Sequence, residues 1–365
     1  MPNVLTFGRV EALLNDQDLA DQVWELWHAG VITDDLAAWA WGILAESAIE
    51  RRARKSCRRA SKQLDRKPVC PEMTLNEMAR VLESSDDYRV VRRYSKPALY
   101  NPDDGTEKLI GLCVDVETTG LDSQSDQIIQ LGIVTFEFAR DGRIFRITNE
   151  FEHYEDPGVS IPREIVRLTG ITDEDVRGQR IDDNKVDALI RPAAIVIAHN
   201  ADFDRKFCER RFPQFAEKAW GCSMANVPWR DEGIESSKLE YIAYRFGFFF
   251  LAHTALSDCL AALHLLAGGL PSSGSSVLKS LLETARMTTI RIWAEDSPYD
   301  QKDILKSRGY QWNAGTDGRP KAWFFDVAKD GHEAELQFLE SEIYGHEVNL
   351  RTDKINAFNR FSARV

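Results

Sequence analysis

The chain has no long hydrophobic run. Its longest clean apolar stretch, Leu36 to Ala45, stops at Glu46 and is about half of a membrane span, so no membrane association is expected. The first residues, MPNVLTFGRVEALLND, lack a charged head followed by an apolar stretch, and a signal peptide is not expected either. Cysteine is sparse and scattered: six in 365 residues, at 57, 70, 113, 208, 222 and 259, with no C-x-x-C pair. That argues against a disulfide scaffold or a zinc knuckle and for a reducing, cytoplasmic setting. Positive charge is in deficit, 46 Lys and Arg against 58 Asp and Glu, for a formal net charge of −12. Such a chain should not coat nucleic acid nonspecifically, because the phosphate term would be repulsive. A nucleic-acid enzyme that holds metal ions with carboxylates stays open.

What the sequence does contain is ample for buried cores. Hydrophobic residues make up 43% and nine tryptophans are present, which excludes wholesale disorder. The length predicts two or three units. Residues 1–108 read as a helical region, with Val10, Leu13, Leu14, Val23, Leu26 and Trp27 at helical spacing. It contains a basic stretch, Glu50 to Lys67, that is either a nucleic-acid contact or a solvated helix face. Thr74 and Glu77 form a capping-box signature for a helix near residue 75.

The composition changes at Leu109. Three strands follow, LIGLCVDVE, QIIQLGIVTFEF and RIFRITNEFEHY, with a hairpin signal at Asp141-Gly142 between the last two. Helix patterns near 162–169 and 182–190 precede a short buried strand, AAIVIA, at 193–198. Further helices include DFDRKFCERRF and one from about Thr254 to Ala267. This order predicts an α/β domain with a mixed sheet over 109–270. Residues 271–276, PSSGSS, read as a linker, and 277–365 as a small α+β module. In that module Trp293, Tyr310, Trp312, Trp323 and Phe324 mix with Lys302, Lys306, Arg308, Arg319 and Lys321. The mixture is either a single-strand platform or the core of a small unit.

Three acidic motifs stand where elements meet. Asp115 and Glu117, two apart at the end of a strand, point to one face. His199-Asn200-Ala-Asp202-Phe203-Asp204 follows AAIVIA, and His253-Thr-Ala-Leu-Ser-Asp258 opens the last helix of the domain. Each alone also fits a polar strand end or a helix cap. His264, further along that helix, reads as structural.

Taken together, DVETTGL, HNADFD and HTALSD resemble the three motifs of the DnaQ-like, or DEDDh, 3′–5′ exonucleases. The resemblance covers roughly Leu109 to Leu270, extends to LTGITDEDV and KAWGCS, and is most like the bacterial polymerase III epsilon-like type. It implies an RNase H-like mixed five-stranded sheet flanked by helices. It also implies Asp115, Glu117, Asp204 and Asp258 as metal ligands and His253 as the catalytic histidine. Thr118, Thr119, Gly120, Leu121, His199, Asn200 and Phe203 would touch the terminal nucleotide. The implied reaction is removal of nucleoside 5′-monophosphates from the 3′ end of DNA, with RNA trimming as the alternative. A non-catalytic nucleic-acid-binding scaffold is the rival from another class. A polymerase or repair partner follows by analogy only.

The residue types suit that chemistry. Unit charges 4 Å apart at an effective dielectric near 20 repel by about 4 kcal/mol. Converging carboxylates therefore need counter-charge, and hard oxygen donors select two Mg²⁺ (or Mn²⁺) over zinc. Two such ions stabilise the attacking and leaving oxygens of a phosphodiester. A histidine near its ordinary pKa of about 6.5 can accept the proton of the attacking water.

Overall fold

The structure is a computed structural model that describes residues 73–316 and 318–365. The basic stretch at 50–67 and the helices expected before it lie outside the described residues. The chain divides into two units, Met1–Asp86 and Asp87–Val365. In the first, helix α1 (Leu75–Glu83) opens on the expected capping box: the Glu77 amide donates to Thr74 Oγ1, and Glu77 accepts from the Thr74 amide.

The second unit is built on a five-stranded mixed sheet of order β4-β3-β2-β5-β6. Its strands are β2 (Leu109–Thr118), β3 (Ile128–Phe138), β4 (Ile144–Tyr154), β5 (Ala193–Ala198) and β6 (Trp220–Cys222). A two-residue strand, β1 (Arg92–Arg93), precedes them. β2, β3 and β4 form an antiparallel meander, while β5 and β6 join β2 in parallel. Period-two alternation divides β2 between the two faces. Leu112, Val114 and Val116 pack below with Phe207, Phe215 and Trp220, and Cys113 packs above with Cys259, Leu263 and Leu266. Helices α2 (Arg163–Thr169), α3 (Asp183–Ile190), α4 (Ala201–Arg211), α5 (Leu239–Arg245) and α6 (Ala255–Leu266) surround the sheet. This is the RNase H-like architecture implied by the motifs. Among the described residues no helix is long and apolar enough to cross a membrane.

Two expected boundaries differ. Residues 87–108 group with the second unit and not with residues 1–86. β1 pairs in parallel with β7 (Phe248–Phe249), the Tyr100 amide donates to the Phe145 carbonyl, and Tyr94 and Tyr100 pack on the upper core. These two part-buried rings tie the segment to the second unit. Nor is 271–276 a free linker. The Ser272 and Ser273 amides donate to Glu232 Oε2, and Gly269 bridges Ser276. Helix α7 (Val277–Arg286) then buries Val277, Leu278, Leu281 and Leu282 in the upper core. A turn rich in Ser and Gly reads as a spacer unless a distant carboxylate accepts its amides.

The C-terminal module has a four-stranded sheet, β11-β8-β10-β9. It comprises β8 (Thr289–Ala294), β9 (Gln311–Trp312), β10 (Trp323–Ala328) and β11 (Thr352–Ile355), with α8 (Lys302–Ser307) and α9 (His332–Phe338). One face carries a small core of Ile292, Ala294, Leu305, Tyr310 and Leu339. The last residues return to the five-stranded sheet, where the Trp220 amide donates to the Ala357 carbonyl.

Candidate active site

Three elements meet at the C-terminal end of β2. The strand puts Asp115 and Glu117 on its upper face, the side covered by α6. Facing Asp115 in the ladder is Gly132, where an added Cβ would stand 2.4 Å from the Ala255 carbonyl carbon. The missing side chain lets the first turn of α6 lie directly on the sheet, which carries Asp258 to the two strand carboxylates. Asp115, Glu117 and Asp258 each offer an oxygen within 4.8 Å of the others.

Sheet side chains also hold the start of α6. Gln130 Oε1 accepts from the Ala255 amide at 3.1 Å, and Glu152 Oε1 from the Leu256 amide at 3.2 Å. Both are amides that a helix leaves unpaired. Neither Gln130 nor Glu152 was singled out in the sequence, although a glutamine inside the apolar run IIQLGIV was a signal. Just before the helix, His253 takes a left-handed φ of 63°, an uncommon conformation for a non-glycine residue. Its amide donates to Asp258 Oδ2 at 3.1 Å. The ring is part-exposed, with Nε2 3.9 Å from Glu240 Oε1.

Asp204 enters from α4 on the opposite side of β2. It is buried, and its Oδ1 accepts from the Val116 amide at 3.2 Å. The structure thus brings three of the four expected ligands into one oxygen cluster and anchors the fourth beside it. Asp202, the neighbouring carboxylate of the same motif, instead pairs with Lys206 at 2.9 Å on the surface of α4.

The electrostatics are those of carboxylates without their counter-charge. Burial, then the charges of Asp204, Asp258 and Glu117, push the Asp115 carboxyl well above its ordinary range. Burial raises Glu117 to about 7. Asp204 rises to about 7 through burial, against the Val116 hydrogen bond. Asp258 rises to about 8 through burial and the Glu117 charge. Asp258 Oδ1 is buried with no hydrogen-bond partner. A buried acceptor left unmatched, among oxygen donors held in a proton-hungry state, fits a hard divalent cation.

The expected nucleotide contacts separate into two groups. Leu121 is 85% exposed at the tip of the turn after β2. Asn200 lies exposed at the start of α4, and Phe203 is part-buried, its ring 4.9 Å from that of Phe207. These three can meet a ligand. Thr118 and Thr119 are buried and shape the turn: Thr118 Oγ1 donates to the Gly120 carbonyl and Thr119 Oγ1 to Asp126. Gly120 leaves room for that carboxylate, which a Cβ would meet at 2.5 Å. His199 departs from expectation. Its Nε2 lies 2.8 Å from the Ser237 carbonyl and its Nδ1 2.9 Å from Ser223 Oγ. Burial pushes its pKa down to about 4. The neutral ring donates through Nε2 and accepts through Nδ1, so both nitrogens are used within the protein. His264 sits among aromatic rings, 4.8 Å from Phe248 and 5.2 Å from Tyr94.

Residues 112–266 match the model of the Exonuclease family of the RNase T type. The chain is 30% identical over 158 residues to the PolC-type DNA polymerase III of Clostridium perfringens, covering 42% of this chain and 10% of that protein. It is 31% identical over 165 residues to the same polymerase of Halalkalibacterium halodurans, covering 42% of this chain and 11% of that protein. The chain thus spans about a tenth of the length of these curated relatives. Among solved structures, exonuclease X in complex with 5′ overhanging duplex DNA aligns at 22% identity and a TM-score of 0.36, over 48% of this chain and 99% of that one. With its motifs at the ends of β2, β5 and the start of α6, the chain matches the Exonuclease family over residues 112–266, the stretch that forms the five-stranded sheet and its helices.

Proposed function

We propose that the chain is a divalent-metal-dependent 3′–5′ exonuclease that removes nucleoside 5′-monophosphates from the 3′ end of DNA. The observation that carries this reading is the convergence of Asp115, Glu117 and Asp258, with a buried Asp258 oxygen that has no hydrogen-bond partner. Asp204, anchored to Val116 through one oxygen, offers the other. Two Mg²⁺ (or Mn²⁺) held by these four carboxylates would supply charge stabilisation for the oxygens that enter and leave the phosphorus.

The remaining steps fall to the side chains around them. The 3′-terminal nucleotide lies over the turn after β2, with Leu121 and Phe203 against its base and Asn200 available to its polar edge. Thr118, Thr119 and Gly120 keep that turn rigid, and His199 keeps the 236–238 segment against the end of β5. His253 takes a proton from the attacking water at Nε2, and Glu240 balances the resulting imidazolium. The His253 amide is spent on Asp258, and the ring lies with Nε2 3.9 Å from Glu240.

RNA trimming is the second reading, because the motif residues themselves do not discriminate a ribose from a deoxyribose. The test follows 5′-labelled single-stranded DNA and RNA of one sequence over time with Mg²⁺, beside Asp115→Ala. A DNA ladder shortening by single nucleotides, absent in the variant, is the expected result. A ladder on RNA alone would replace the DNA reading, and no cleavage of either with Mg²⁺ or Mn²⁺ would remove both.

A further inference from the structure

A cleft of about 660 Å³ runs between α4 and the C-terminal sheet, a size typical of sites for organic ligands. The reaction above makes no use of it. Its lining includes Asp202 and Lys206 from α4, Arg291 from β8, Trp312 from β9, Phe324 from β10 and Arg319.

The chemistry of the lining is aromatic and cationic. Trp312 is 50% exposed and stands edge-on to Trp323, ring centres 5.6 Å apart. Phe324 is backed by the buried Trp293 at 5.1 Å, with the Arg291 guanidinium 4.6 Å over its ring. Lys206 is held by Asp202, and Arg291 by two hydrogen bonds to Asp326 at 2.7 and 2.9 Å. Each of these two carboxylates is thereby matched by a cation, and Arg319, which donates to the Ser362 carbonyl at 3.2 Å, lies in the same lining. A half-exposed ring at Trp312, with the part-buried Phe324 ring and cations beside it, offers the features that hold unpaired bases and their phosphates.

The walls are fixed, and they start at the catalytic helix. Arg205, whose side chain is fully buried, donates to the carbonyls of Ala357, Phe358 and Arg360 and pairs with Glu209 at 2.6 Å. This clamps the C-terminal chain onto α4. The same first turn of α4 carries Asp202 into the cleft and Phe203 and Asp204 to the carboxylate site.

We propose that the cleft binds the single-stranded stretch of nucleic acid upstream of the 3′ end being cut. Bases stack on Trp312 and Phe324, and phosphates meet Lys206 and Arg319. The proposal rests on the exonuclease reading and adds to it the path of the strand.

The test uses the full chain with Ca²⁺ in place of Mg²⁺ and measures fluorescence anisotropy of 5′-labelled dT16 and rU16. Trp312→Ala is expected to weaken binding about tenfold. Lys206→Gln is expected to weaken it and to reduce the salt dependence by about one ion. If both variants melt like the parent and bind both oligonucleotides within twofold of it, the proposal is overturned. Loss on dT16 assigns the strand as DNA, and loss on rU16 alone assigns it as RNA. Should Trp312→Ala not fold, cross-linking of a 5-iodouracil oligonucleotide to the unaltered protein decides. Adducts in the Trp312 or Phe324 peptides support the cleft, and adducts confined to Leu121 and Phe203 overturn it. Turnover of thymidine 5′-(4-nitrophenyl phosphate) by the unaltered protein reads the carboxylate site alone. Its absence counts against the exonuclease reading and leaves the binding result to judge the cleft.

Discussion

Asp115 lies directly across the β2–β3 ladder from Gly132. The carboxylate needs a partner from α6, and the glycine is what lets α6 come close enough. Gly132→Ala is expected to push the Ala255–Leu256 backbone off the sheet, since the new methyl would stand 2.4–2.6 Å from it. The cost is about 1–3 kcal/mol, as for overpacking in general. Thermal unfolding and Mg²⁺ affinity should fall together, and an unchanged Mg²⁺ affinity would separate the glycine from the site.

Metal-free protein should lose stability as pH rises. Glu117 at about 7, Asp204 at about 7 and Asp258 at about 8 all hold their protons more tightly when folded than an unfolded carboxylate would. Their contribution is therefore fully present below the ordinary carboxylate range and disappears as pH climbs from about 4 through 8. Melting in EDTA should fall across that window. Mg²⁺ should restore it by an amount that grows with pH, and a Mg²⁺ effect independent of pH would contradict the assignment.

Asp115→Asn removes the most crowded negative charge of the cluster. Turnover should drop at least about 10²-fold, while the metal-free protein at pH 8 melts about 2 °C or more above the parent. Higher stability with lower activity is the signature of a ligand rather than a packing residue. A variant that is both inactive and less stable would mean that Asp115 holds the fold.

His253→Ala should lower kcat by roughly 10²–10⁴-fold, the usual contribution of a proton acceptor, and leave Mg²⁺ affinity nearly as it was. The backbone amide that binds Asp258 survives the substitution. Calorimetric titration of Mg²⁺ beside single-turnover kinetics separates the two effects.

The order of elements was legible because each strand carried its own period. AAIVIA is observed at its expected residues, 193–198, and the Asp141-Gly142 turn joins β3 and β4. Asp115, Glu117 and Asp258 converge because two-residue spacing on a strand and a helix start behind a polar cap are local facts. What lay hidden is non-local. Nothing near Pro271 announces that Glu232 will accept the amides of Ser272 and Ser273, 40 and 41 residues away. His199 looked like a ligand contact because its two partners, Ser223 and Ser237, are 24 and 38 residues downstream. Arg205, one residue after Asp204, gives no local sign that its guanidinium is spent on the carbonyls of Ala357, Phe358 and Arg360.

The pairing of β1 with β7 has a practical consequence for anyone cutting the chain. A fragment trimmed to residues 112–266 would keep every motif and every carboxylate. It would also lose Tyr94 and Tyr100 from above His264, Val277 to Leu282 from beside Leu263, and the carbonyls that neutralise Arg205. Such a fragment would expose the greasy side of its own sheet and leave a buried guanidinium without most of its acceptors. The smallest piece that keeps its interior intact therefore starts at about residue 87 and runs through the clasped tail.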